Sequence, residues 1–233
     1  MSGEDLVGSR DIGDYLVSAR SFDEYRAMFA LSDEDVAGRV LDCPGGASSF
    51  TAAACALGAR AVAVDPVYVT PAERLEERLS AELARGQAWA VANADRYLWD
   101  FFGDPAGHAR HRADAAALFA ADRRAHPERY VAATLPALPF ADRSVDLVLS
   151  SHLLLTYADR LDAGFHVAAL REMARVSRAG VRIYPLVDQA GRAMPELVAH
   201  LVDRLGDDGL RARVRPVAYE FQRGAGTMLE VLR

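Results

Sequence analysis

Apolar residues follow two rhythms along this chain. Short apolar runs flanked by turn-forming or charged residues predict buried strands over 39–41, 61–64, 130–133, 147–150 and 181–186. Between them, small or apolar residues returning on one face predict helices over 48–57, 72–85, 113–125, 163–176 and 195–205. Ser21 and Glu24 have capping-box spacing ahead of Tyr25, Met28 and Phe29, which share a face. Pro71 opens the helix in which Leu75, Leu79 and Leu83 recur four apart. Strands alternating with helices predict an α/β unit with a parallel sheet. The end differs, because strands over 211–221 and 227–232 meet across Gly224-Ala225-Gly226 and predict a terminal antiparallel hairpin.

Between the second and third strands, residues 67–129 exceed what a plain strand-helix-strand connection needs. This helical insertion holds Tyr68, Trp89, Tyr97, Trp99, Phe101 and Phe102, including both tryptophans of the chain. Three roles are open for those rings: a lid over a ligand pocket, packing of the inserted helices on the sheet, or a homodimer contact.

Composition narrows the class without naming a reaction. The length of 233 residues, with 51% hydrophobic and 26% charged residues, suits one soluble domain over 1–233 with an N-terminal helical segment over 1–38. No apolar stretch approaches the roughly 18 residues that cross a bilayer, so no membrane partner is expected. The opening ten residues carry acids and no apolar core, unlike a secretory leader. Cys43 and Cys55 are too few for a disulfide framework, which points to a cytoplasmic location. A net charge of −6 argues against a nucleic-acid partner. His108 and His111 lie three apart without further ligands, so no metal site is expected.

The chemistry concentrates at the first strand-helix-strand unit. Val40-Leu41-Asp42-Cys43-Pro44-Gly45-Gly46-Ala47-Ser48 runs from a strand through a glycine turn into a small-residue helix, and the next strand ends at Asp65-Pro66. Gly46 and Asp65 are about 20 residues apart, the separation at which such a unit sets a carboxylate against a ribose hydroxyl pair. Glycine in the turn permits close backbone approach and φ > 0. Free N–H groups at the helix start attract a phosphate or a carboxylate.

These residues resemble the first motif of the class I S-adenosylmethionine-dependent methyltransferases, Asp-x-Gly-x-Gly-x-Gly, with Pro44 and Ser48 in place of two glycines. Downstream, Leu138-Pro139-Phe140, then Val145-Asp146-Leu147-Val148 and Leu153-Leu154-Leu155, are similar to the family's later motifs in the same order. The resemblance covers about residues 20 to 233. It implies a Rossmann-like seven-stranded sheet with helices on both faces and an antiparallel end. It also implies S-adenosylmethionine as cofactor and a small-molecule oxygen, nitrogen or carbon nucleophile as acceptor. Asp42, Pro44, Gly45, Gly46 and Ser48 would then meet the methionine part, Asp65 and Pro66 the ribose, Thr134 and Leu135 the adenine. Ser150 and Ser151 would touch the cofactor's amino-acid portion, and His152 is the candidate base, its alternative being a histidine packed under the next helix.

Some chemistries are excluded. Ser150-Ser151-His152-Leu153 is not the Asn/Asp-Pro-Pro-Tyr/Phe motif of base amino-group methylation, and a chain without lysine cannot use a Lys-Asp-Lys-Glu ribose site. Two other readings stand beside the enzyme: a methyltransferase-fold binding protein without transfer activity, and a nicotinamide-dependent oxidoreductase, which the terminal hairpin disfavours.

Overall fold

One sheet organises residues 14–233, those that the computed structural model describes. Its strands are β1 (Arg39–Asp42), β2 (Arg60–Val64), β3 (Tyr130–Val131), β4 (Val145–Ser151), β5 (Ser177–Tyr184), β6 (Arg211–Pro216) and β7 (Thr227–Leu232). They lie in the order β3-β2-β1-β4-β5-β7-β6. The first five are parallel, and β7 runs antiparallel between β5 and β6. The seven-stranded Rossmann-like sheet and its antiparallel end are therefore present. Connections leave β1 toward β2 on one side while β4 lies on the other, which opens a crevice beyond their carboxyl ends.

Alternation along each strand feeds two cores. Leu41 and Val148 join Leu170 and Met173 of α6 (Ala163–Val176) and Leu201 of α7 (Pro195–Asp207) on one face. Val40, Leu147 and Leu149 pack on Tyr25 and Met28 of α1 (Phe22–Met28) and on Phe50 of α3 (Phe50–Ala56) on the other. A short α2 (Asp33–Ala37) follows α1, and both begin with complete capping boxes. Because both faces are covered, the strands read as apolar runs rather than alternating ones.

The insertion forms α4 (Ala72–Ala92) and α5 (Pro105–Ala125), which pack on each other. Leu75, Leu79 and Phe119 sit with Tyr68 and Tyr130 in a third apolar cluster. Both helices outrun their predicted bounds. Asp104 caps α5 by accepting from the Gly107 amide at 2.5 Å, with Pro105 in its first turn. Trp89 donates to the Tyr97 hydroxyl at 2.9 Å, and Tyr97 stacks on Phe221 with centroids 4.6 Å apart. That contact also shortens β6, predicted to reach 221. Past Pro216 the chain turns to the insertion, where the Leu98 amide donates to the Phe221 carbonyl at 2.7 Å. Residues 1–13, among them the opening ten that read as unlike a leader, lie outside those described.

Glu24 does more than close its capping box. It is fully buried, and Arg112 of α5 grips it with two N–H donors at 2.5 and 2.7 Å. Tyr219, from the loop after β6, donates to the same carboxylate at 2.8 Å. Three remote segments are thus locked by one ion pair. Burial works to raise the Glu24 carboxyl, but the charge and hydrogen bonds of Arg112 outweigh it and hold it at about 2. The depressed value means that the stabilisation is whole above the ordinary 4.5 and lost as pH falls toward 2. Glu24→Gln, which strands the Arg112 charge, is expected to lower unfolding free energy by about 3 kcal/mol in urea titrations at pH 7. A loss below about 1 kcal/mol would show the pair to be dispensable.

Candidate functional site

The crevice beyond β1, β2 and β4 is a cleft of about 440 Å³. Pro44, Gly45, Gly46 and Ser48 line it from the turn after β1, Asp65 and Pro66 from the end of β2. Thr134 and Leu135 enter after β3, Ser151 and His152 at the end of β4. Two expected contacts are absent from its walls. Asp42 lies beneath, with one carboxylate oxygen accepting from the Tyr25 hydroxyl at 2.9 Å and the other buried without a hydrogen-bond partner among the described residues. Burial pushes its carboxyl well above the usual range. Ser150 is likewise buried, its hydroxyl unpartnered. Each lies on a strand just before a cleft-lining residue, Cys43 or Ser151, and successive side chains along a strand point to opposite faces.

Asp65 ties two turns together. One oxygen accepts from the Gly46 amide at 2.9 Å, and the other accepts from the Val67 amide at 3.0 Å, capping the turn Pro66–Val69. Burial raises its pKa, opposed by those two amides. Each oxygen keeps a second lone pair, so a diol can still be bound. Tyr68 fastens the assembly by donating to the Gly46 carbonyl at 2.8 Å.

The glycines serve the protein's own packing. A Cβ on Gly45 would stand 2.5 Å from the Tyr68 hydroxyl and 2.8 Å from the Ala63 Cβ. Gly46 has φ of +52°, and a Cβ there would meet the Ser18 carbonyl at 3.1 Å. The expected free amides are also taken. Those of Gly45, Ala47, Ser48 and Ser49 donate to the carbonyls of Val64, Ser18, Gly45 and Arg20, and that of Phe50 donates to the Ser48 hydroxyl. A segment from Tyr15 to Arg20 therefore covers the start of α3, and it walls the cleft. Sequence reasoning missed these wall residues, together with Tyr25, Arg78 and Phe165, because no motif marks them; Tyr157, which the sequence offers as a pocket or core residue, also lines the cleft.

His152 has φ of +51° and donates its backbone amide to the Tyr184 carbonyl at 2.7 Å. Its Nδ1 lies 2.8 Å from the Ser151 hydroxyl. Burial, then the charges of Arg20 and Arg112, hold the imidazole well below its ordinary pKa. It is a neutral hydrogen-bonding group and a weak base.

Residues 107–184 match the model of a methyltransferase domain. Over 229 residues the chain is 26% identical to an uncharacterized protein of Methanocaldococcus jannaschii, spanning 96% of this chain and 98% of that one. Similar solved structures include the mitomycin 7-O-methyltransferase MmcR, at 18% identity and a TM-score of 0.47, covering 91% of this chain and 53% of that one. The chain thus spans about half of that enzyme's length. Another is the 1,6-didemethyltoxoflavin-N1-methyltransferase of Burkholderia thailandensis with bound S-adenosylhomocysteine, at 18% identity and a TM-score of 0.44, covering 90% and 76%.

The depressed imidazole generates a direct test. Across pH 5 to 8, the carbon-proton NMR signals of His152, assigned with His152→Gln, are expected to show no titration. A midpoint near 6.5 would restore it as an ordinary general base.

Proposed function

We propose that this chain, of the class I S-adenosylmethionine-dependent methyltransferase family by its domain match over residues 107–184 and its sheet order, methylates a small-molecule oxygen, nitrogen or carbon nucleophile. The observation that carries the reading is Asp65, a carboxylate at the end of β2 with lone pairs to spare, tied to the Gly46 turn and opening on the cleft. Asp65 takes the ribose hydroxyls, Thr134 and Leu135 border the adenine, and the turn from Pro44 to Ser48 lies along the methionine part.

The cofactor supplies a sulfonium that leaves readily. What the protein must add is alignment of a nucleophile with the methyl and exclusion of water. Leu135, Leu153 and Phe165 supply apolar wall, and Tyr15 to Arg20 close the cleft on the side of α3. His152, neutral and held by Ser151, accepts a hydrogen bond from the acceptor and orients it rather than removing a proton early. Beside the cleft lies a narrower space of about 120 Å³ walled by Trp89, Tyr97 and Phe221, a size that favours a small acceptor over a polymer. Among the described residues no helix is long and apolar enough to cross a membrane. The free thiols of Cys43 and Cys55 agree with a cytoplasmic setting.

A second reading has its own support. With the amides of the Gly46 turn already donated, the chain is also suited to be a methyltransferase-fold binding protein that lost the cofactor. Calorimetry with S-adenosylmethionine, S-adenosylhomocysteine and NAD decides between them. The adenosyl compounds are expected to bind and NAD not, and Asp65→Ala is expected to weaken S-adenosylhomocysteine about tenfold or more. No heat with either adenosyl compound would leave the binding-protein reading.

A further inference from the structure

Arg20 is a positive charge set beside the cleft. Arg20 stands where the cofactor cleft meets the narrower cavity and lines both, together with Ser18, His152 and Tyr157. Its Nη1 donates to the Ser18 hydroxyl, and its Nε is buried without a partner. Among the described residues it forms no ion pair. The acid nearest in role, Glu24, is engaged at both oxygens by Arg112, so that pair is neutral as a unit. Asp42 is bonded to Tyr25 and resists ionisation, while His108, held at about 3 chiefly by burial, and His152 are uncharged. Gln87 and Gln222 are bonded to neighbouring carbonyls through their amide nitrogens. The Arg20 guanidinium is thus a partly buried cation with donors left over, a state that a planar, two-oxygen anion completes with two parallel hydrogen bonds.

We infer that Arg20 is the seat of a ligand carboxylate at the junction of the two cavities, an inference that rests on the methyl-transfer reading. Two ligands can bring that group. The methionine carboxylate of the cofactor is one, since the amides at the start of α3 are already donated to Ser18 and Arg20 carbonyls and the Ser48 hydroxyl. An acidic acceptor lying between Trp89, Tyr97 and Phe221 is the other, because Arg20 faces that cavity as well.

Calorimetry on the full chain, wild type against Arg20→Gln and Arg20→Lys, tests the inference and separates the sources. The probes are S-adenosylhomocysteine and 5′-methylthioadenosine, which share the nucleoside and differ in the carboxylate. Benzoate and uncharged benzamide are then added to protein saturated with S-adenosylhomocysteine. A loss of about 10- to 100-fold for one carboxylate ligand is expected in Arg20→Gln, with 5′-methylthioadenosine and benzamide unchanged and Arg20→Lys retaining part of the affinity. Loss confined to S-adenosylhomocysteine assigns the seat to the cofactor; loss confined to benzoate assigns it to the acceptor. Equal weakening of S-adenosylhomocysteine and 5′-methylthioadenosine, or S-adenosylhomocysteine unchanged without Arg20-dependent benzoate binding, overturns the inference. Wild-type protein that binds neither adenosyl probe removes the reading on which it rests.

Discussion

The cleft depends on the hydrogen bonds of one carboxylate. Asp65 accepts from Gly46 on the turn after β1 and from Val67 on the turn after β2, so two loops that are far apart in sequence hold a fixed spacing. Parallel pairing of β1 with β2 brings the two strand ends side by side, with Asp42 opposite Ala63. Asp65 converts that alignment into a rigid rim. Tyr68 adds a third tether through the Gly46 carbonyl, and Gly45 leaves room for its hydroxyl. The conformational freedom of glycine serves this internal fit.

A second constraint holds the walls. Glu24, buried on α1, gathers Arg112 from the insertion and Tyr219 from the loop before β7. The segment just before α1 is thereby pinned over the start of α3, where its Ser18 and Arg20 carbonyls take the amides of Ala47 and Ser49. Most rings of the insertion pack inward: Trp89, Tyr97 and Phe102 are buried, Phe221 stacks against Tyr97 and His108, and Phe101 stays exposed. They wall the narrower cavity in that packed state, which joins the packing role to the pocket role.

Strand-scale features were legible because apolar runs and cap signals act locally. The parallel strands, the capping box at Ser21 and the Asp65 position all follow from residues adjacent in sequence. What escaped was set by distant partners. The side chains of Asp42 and Ser150 turn below the cleft because strand alternation directs them there, and a motif comparison cannot see that direction. The early end of β6 depends on Leu98 bonding to Phe221, more than a hundred residues away. The N-terminal wall is equally nonlocal, since nothing around Ser18 or Arg20 signals that their carbonyls will take amides at the start of a helix thirty residues on. Two of the amides expected to be free at the glycine turn, those of Ala47 and Ser49, are donated to that same segment.

A crystal structure grown with S-adenosylhomocysteine examines the central claim most directly. The account predicts the adenosine between the turn after β1 and Thr134-Leu135, with both ribose hydroxyls within hydrogen-bond distance of the Asp65 oxygens and the Gly46 and Val67 amides still bound to them. Density for the nucleoside elsewhere on the molecule, or a cleft that the ligand does not enter at saturating concentration, would contradict it.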